Sequence, residues 1–291
     1  MQLEQFNAHR TTVATPAGEI AYVDVGDGPT ALFVHGIIVS SYLWRNVIDA
    51  LRDERRCVAL DLPGHGRTPV SPGGDLTLGA HAEVLESFCQ ALGLDSFDLV
   101  GSDTGGAIAQ VFTVRHQERV RTLTLTNCDC HDQLPPPAFK QTVDAAKAGT
   151  LAEAIMQVYD NPDVGRIALG QGYERPADLD DDTIREFFGA FKDLDAAREL
   201  ERAITSLDSA DLLAIEPQLS ELRVPTLIAW GTGDVFFDLR WAHWLKDTIP
   251  GVERVVEIPD AKLFYPDERA EELVPHLRAH MDAHTATETV S

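Results

Sequence analysis

The sequence predicts an α/β protein with a mostly parallel central sheet, helices on both of its faces, and an inserted all-helical segment. Three observations carry this. Two blocks of strand-then-helix pattern, one ending near Thr126 and one resuming at Pro225, flank a long stretch of helical pattern with no convincing strand. Strands joined through helices pair in parallel, and the helices cover both sheet faces. The third observation is the segment Val100-Gly101-Ser102-Asp103-Thr104-Gly105-Gly106, which sits between a strand and a helix.

The elements follow in order. Thr30 to Val34 is a short β-rich run, and Ser41 to Leu51 has apolar residues at helical spacing. Val58 to Leu60 is a strand followed by the loop Asp61-Leu62-Pro63-Gly64-His65-Gly66. Leu76 to Leu92 reads as a helix closed by Gly93, and Phe97 to Val100 as a strand running into Gly101. Ala107 to His116 is a helix and Val120 to Thr126 a strand. The triplet Pro135-Pro136-Pro137 breaks the pattern. Beyond it, Ala138 to Ala146, Leu151 to Tyr159, Asp182 to Phe191 and Ala196 to Ile204 are the best helices. The alternation resumes with Pro225 to Trp230 as strand, Leu239 to Lys246 as helix, Val252 to Ile258 as strand and Glu268 to His280 as helix. We therefore expect a core in two parts, residues 1–131 and 216–291, and a helical cap over residues 132–215.

Composition narrows the partners. A chain of 291 residues, 44% hydrophobic and 24% charged, is an ordinary globule in make-up. Its formal net charge of -23 argues against nucleic-acid and anionic-membrane surfaces, which need clustered Lys and Arg. No secretion signal and no bilayer-length apolar run is visible. The four cysteines, Cys57, Cys89, Cys128 and Cys130, have neither disulfide-framework nor zinc spacing. The expectation is a cytoplasmic chain with reduced thiols, a small-molecule substrate, no metal and no cofactor. The sequence is silent on oligomeric state.

The chemistry centres on Asp103. Glycines around a strand-to-helix junction permit a tight turn, which pushes the central residue out at the carboxyl edge of the sheet. The helix start offers backbone N–H groups to a developing anion. Ser102 lies one position too early to occupy the tip. The bland reading is an Asp that caps the helix after a glycine turn. The strand before it and the helix after it favour the elbow.

With these pieces the sequence resembles the haloalkane dehalogenase and epoxide hydrolase branch of the α/β-hydrolases, across nearly the whole chain. His35-Gly36 followed by Ser41-Tyr42-Leu43-Trp44-Arg45 looks like that branch's oxyanion loop and first helix. Asp61 to Gly66 looks like its next loop, and Ala229-Trp230-Gly231-Thr232-Gly233-Asp234 like the strand end that carries the acid. The resemblance implies an α/β-hydrolase fold, Asp103 as nucleophile, Asp234 as acid, and backbone N–H groups of Ile37 and Thr104 at the anion site. In that branch the Asp attacks carbon and forms an ester, and a His activates water to hydrolyse it. For His35 and His65 the structural reading is preferred: each holds the geometry of its loop.

The departures are as informative. In Ile258-Pro259-Asp260-Ala261-Lys262-Leu263-Phe264-Tyr265-Pro266, Leu263 falls where the catalytic His belongs, and no His lies between His243 and His276. Thr104 stands where dehalogenases usually place a Trp, and Ile37 where one branch places an Asn. Trp44, Trp230, Trp241 and Trp244 all fall outside the expected cap. The cap tyrosines, Tyr159 and Tyr173, read as ordinary helix and loop residues rather than epoxide-opening acids. His131, in Asn127-Cys128-Asp129-Cys130-His131-Asp132, is the candidate for a relocated base, with Asp129 and Asp132 to orient it. The preferred alternative for it is a structural contact. Without a His between them, Asp103 and Asp234 would share a partly dry space. At least one is then expected to have a raised pKa, or Leu263 to separate them.

Three functions fit: a hydrolase of this branch with a relocated base, a non-hydrolytic lyase, isomerase or cyclase using Asp103 as acid or base, and a ligand-binding protein without turnover. Elbow plus acid favours an enzyme.

Overall fold

The computed structural model describes residues 1–70 and 73–285. The chain starts with helix α1 (Leu3–Ala8) and an antiparallel pair, β1 (Arg10–Thr15) and β2 (Gly18–Val25). Next come β3 (Thr30–Val34), a short 3-10 turn (Ser41–Trp44), α2 (Arg45–Leu51), β4 (Arg56–Leu60) and α3 (Leu78–Ala91). The central unit is β5 (Phe97–Asp103), α4 (Thr104–Arg115) and β6 (Val120–Cys128). Between β6 and the next strand lie α5 (Lys140–Lys147), α6 (Leu151–Asp160), α7 (Pro162–Leu169), α8 (Asp181–Phe188), α9 (Leu194–Thr205) and α10 (Ala210–Leu219). The chain closes with β7 (Thr226–Gly231), α11 (Arg240–Thr248), β8 (Val252–Ile258), α12 (Tyr265–Glu268) and α13 (Ala270–His284).

The strands form one sheet in the order β1-β2-β4-β3-β5-β6-β7-β8. From β4 to β8 every neighbouring pair is parallel, and β2 meets β4 antiparallel. The hairpin β1–β2 was not singled out from sequence. Its first strand alternates between exposed and partly buried positions at a sheet edge, so it lacks the apolar run that marks the inner strands. β5 is buried at every position, as a central parallel strand must be.

α4 is buried over ten consecutive residues from Thr104 to Thr113, so it cannot be amphipathic. Glycine lets it approach the sheet. A Cβ on Gly105 would sit 2.4 Å from the carbonyl oxygens of Val34 and His35, and one on Gly106 2.3 Å from Cys128 Cβ. The segment between β6 and β7 holds helices and, among the described residues, no strand. α6, α8 and α9 pack together, whereas α10 runs across residue 215 and packs on α4. Arg10 on β1 reaches both Asp61 and Glu186 of α8, tying the helical segment to the sheet layer.

Candidate active site

The turn from β5 into α4 holds Asp103 at φ 56°, ψ -136°. A non-glycine residue at positive φ is strained, and the packing of Gly105 and Gly106 holds it there. The strained turn lifts the side chain to the carboxyl edge of the sheet. Gly36, on the loop after β3, leaves the room: a Cβ there would lie 2.1 Å from Asp103 Oδ2. The backbone N–H groups of Thr104 and Ile37 face the carboxylate and favour its charged form. Burial works against them and is the larger effect, and Asp234 adds its repulsion, so the pKa of Asp103 is pushed up to about 7.

Asp234 follows β7 and is held rigidly. Its Oδ1 accepts from the N–H of Phe236 at 2.8 Å and its Oδ2 from Asn127 Nδ2 at 2.9 Å. Asn127 is itself fixed, donating to the Gly231 carbonyl at 3.0 Å and accepting from the Gly231 N–H at 2.7 Å. Part of Asp234 reaches solvent, yet the atoms packed around it push its pKa up to about 7 as well. Both carboxyls are therefore raised, and for each the first cause is burial rather than their mutual repulsion.

Leu263 is buried, and it lines the same pocket as Asp103, Thr104 and Ile37. The pocket's other walls are apolar, with Phe236, Phe237 and Phe264 among them. An apolar pocket with one carboxyl group at its base suits a small apolar ligand that presents an electrophilic atom to that group. The loop carrying Leu263 is fixed to the helical segment: Phe264 donates its N–H to Gly172 at 2.9 Å, and its ring packs on Tyr173 at 4.9 Å between centroids. Tyr173 donates its hydroxyl to Asp267 at 2.9 Å and is committed there. Tyr159 lines a different, polar cleft with Arg67 and Glu186.

The structure does not bring His131 to this cluster. Its backbone has φ 53°, its Nδ1 meets a carboxylate oxygen of Glu216 on α10, and its ring stacks on Trp244 at 5.0 Å. That is a structural tether between the β6 loop, α10 and α11. Nor does Asp129 orient His131. Its buried carboxyl accepts from Thr104 Oγ1 at 3.3 Å, while its Oδ1 has no partner. Burial first, and the nearby Asp103 second, push its pKa well above the ordinary carboxyl range. Asp129 and Asn127 are thus site residues whose roles the sequence did not disclose.

His35 is a structural histidine. Its Nε2 accepts from the Leu62 N–H at 3.0 Å, so the proton is on Nδ1, which donates to the Gly36 carbonyl at 2.7 Å. His65 is buried with its Nδ1 near the Pro63 carbonyl at 3.2 Å, and burial pushes its pKa down to about 3. All four cysteines are free and buried.

A family model described as the alpha/beta hydrolase fold matches residues 29–268. The chain belongs to the α/β-hydrolase fold family. It is 32% identical over 259 residues to haloalkane dehalogenase 2 of Mycobacterium tuberculosis, covering 85% of this chain and 86% of that one. It is 25% identical over 281 residues to a cis-3-alkyl-4-alkyloxetan-2-one decarboxylase of Xanthomonas campestris, covering 92% and 93% of the two chains. The solved structure of an ancestral haloalkane dehalogenase matches with a TM-score of 0.80 at 20% identity, over 95% of this chain and all of that one, which supports the fold. Among the described residues of this family member no helix is long and apolar enough to cross a membrane.

The raised pKa of Asp103 has a consequence for stability. The folded chain keeps a proton that the unfolded chain releases above pH 3.8, so this group's contribution is full below that pH and is lost as pH rises to about 7. Asp103→Asn, which removes a buried anion, is expected to stabilise the chain at pH 8 and leave it unchanged near pH 4. Urea midpoints at the two pH values check this, and an equal shift at both would contradict it.

Proposed function

We propose that this chain is an enzyme that joins Asp103 to an electrophilic carbon of a small, largely apolar molecule, and that no histidine-activated water releases the ester. The observation that supports it most directly is Leu263: an apolar side chain lines the pocket beside the buried carboxyl of a strained strand-to-helix turn. In this reading Asp103 attacks carbon through one oxygen, displacing halide or opening a strained ring. The N–H groups of Ile37 and Thr104 orient the attacking carboxylate and line the anion site of the ester. Asp234 keeps the place of the acid, with nothing basic between it and Asp103. The helices of residues 132–215 form the cap that closes the pocket, and Leu134, Phe139 and Leu169 supply its upper wall.

A second reading, a lyase, is favoured by the likeness to the oxetanone decarboxylase. A lyase of that kind needs no water. Asp103 oxygen bonds to the ring carbon that carries the ring oxygen, and that carbon–oxygen bond breaks to leave a free carboxylate. Loss of carbon dioxide then supplies the electron pair of a new carbon–carbon double bond. The bond to Asp103 breaks, returning its carboxylate. A chain with an Asp nucleophile and no general base can complete this cycle. A ligand-binding protein would do none of this chemistry.

The test is intact-mass measurement after exposure to haloalkanes, epoxides and cis-3,4-dialkyloxetan-2-ones, with alkene and carbon dioxide assayed in the last case. A persistent adduct supports the ester-forming reading, and alkene released without an adduct supports the lyase. Neither adduct nor product from any of the three classes would remove both. Attack requires the carboxylate, so the rate of adduct formation is expected to rise with pH and level off above about pH 7, where Asp103 is ionised. A pH-independent rate between pH 5 and pH 8 would contradict Asp103 as the attacking group.

A further inference from the structure

Far from Asp103 in the fold's topology, β8 and α13 bring together three metal-ligating side chains. His280 and His284 are four residues apart on α13, which places them on one face of the helix. Glu253, near the start of β8, faces both. Its Oε2 lies 3.5 Å from His280 Nδ1 and 2.9 Å from His284 Nε2. One ligand atom from each of the three lies within 4.8 Å of the others, and among the described residues no other group of three does so.

We propose that Glu253, His280 and His284 form a binding site for a borderline divalent transition metal of the zinc class, joining β8 to the end of α13. The distances fit. Metal–ligand bonds of about 2.0–2.1 Å in a tetrahedron put ligand atoms about 3.4 Å apart. The contact between His280 and Glu253 is already at that spacing, and that between His284 and Glu253 needs to open by about half an ångström. The metal lies between the three side chains in place of the direct contact of His284 Nε2 with Glu253, and solvent supplies the fourth ligand.

His280 is prepared for the role. It is buried, 7% exposed, and the carbonyls of Leu123 and Pro225 face its ring, while its Nε2 has no hydrogen-bond partner. Its Nδ1 points toward the ligand cluster, at 3.5 Å from Glu253 Oε2, as a metal-bound imidazole nitrogen must. Two imidazoles and one carboxylate select zinc, nickel or copper over magnesium and calcium, which prefer oxygen. The net charge of -23 raises the local concentration of any cation. The same charge binds cations loosely elsewhere on the surface, so site variants decide the matter.

The experiment is calorimetric titration of the chelator-treated full chain with zinc chloride, alongside Glu253→Gln and His284→Ala. Both residues reach solvent, so the fold survives their replacement, which circular dichroism verifies. The expected result is one zinc per chain, at least about tenfold weaker in each variant, with zinc raising the Tm of the parent chain more than that of either variant. Magnesium chloride should produce neither effect. Absence of zinc binding, or binding in both variants as strong as in the parent chain, would overturn the site. Weakening in His284→Ala alone would overturn the three-ligand assignment.

Discussion

Leu263→His is expected to raise the hydrolysis of any substrate that esterifies Asp103 by about two to four orders of magnitude, the usual worth of a positioned general base. The side chain lies in the pocket with Asp103, and imidazole is close to leucine in size, so the ring needs little new space. Placing a polar ring among apolar walls costs stability unless it is hydrogen-bonded. Asp234 supplies the partner. It is already fixed by Asn127 and the Phe236 N–H, and a carboxylate held at that point orients an imidazole and favours its protonated form during turnover. The new ring therefore has an acceptor on one nitrogen and leaves the other for water. Steady-state product release by Leu263→His against the parent chain measures the effect. A folded variant with unchanged turnover would show that the missing base does not limit the cycle.

Asp103→Asn is expected to abolish adduct formation altogether. An amide oxygen is a far weaker nucleophile than a carboxylate, and among the described residues no other carboxyl lines the pocket to replace it. The variant keeps the shape of the turn and removes a buried charge, so loss of reaction with retained fold isolates the chemistry. Peptide mapping of the parent adduct should place the added mass on the segment containing Asp103. An adduct that forms equally well in Asp103→Asn would assign the attack to another residue.

Much of this was legible from residues alone, for identifiable reasons. Inner strands are apolar runs because both of their faces are covered, so β3 to β7 could be read directly, and the edge strand β8 was read from Val252, Val255, Val256 and Ile258 despite its exposed positions. The hairpin β1–β2 was not: the edge strand β1 has no fully buried position and a mixed pattern, and the apolar run of β2 is interrupted by Asp24. The elbow was visible because its glycines have a steric cause, the close approach of α4 to the sheet. Leu263 was visible because its loop has an ordered place after the last strand. His131 was preferred as a structural contact, but its partner could not be named, because its direction depends on a positive φ and on Glu216, 85 residues further along the chain. Asn127 could not be assigned either, since its role is to join Gly231 to Asp234 across two neighbouring strands. A raised pKa for at least one of Asp103 and Asp234 was expected from a shared, partly dry space, but which of burial and repulsion dominates could not be read from sequence. Burial is the larger cause for both, and burial is a property of the assembled pocket.

The central claim is that Asp103 becomes an ester which water does not readily clear. Intact mass of the parent chain, followed after a reactive haloalkane is added and then removed, tests it most directly. The account predicts a gain of one alkyl group per chain that persists after removal, is absent in Asp103→Asn, and disappears rapidly in Leu263→His. Unmodified protein that turns over the haloalkane repeatedly, at a rate untouched by Asp103→Asn, would contradict it.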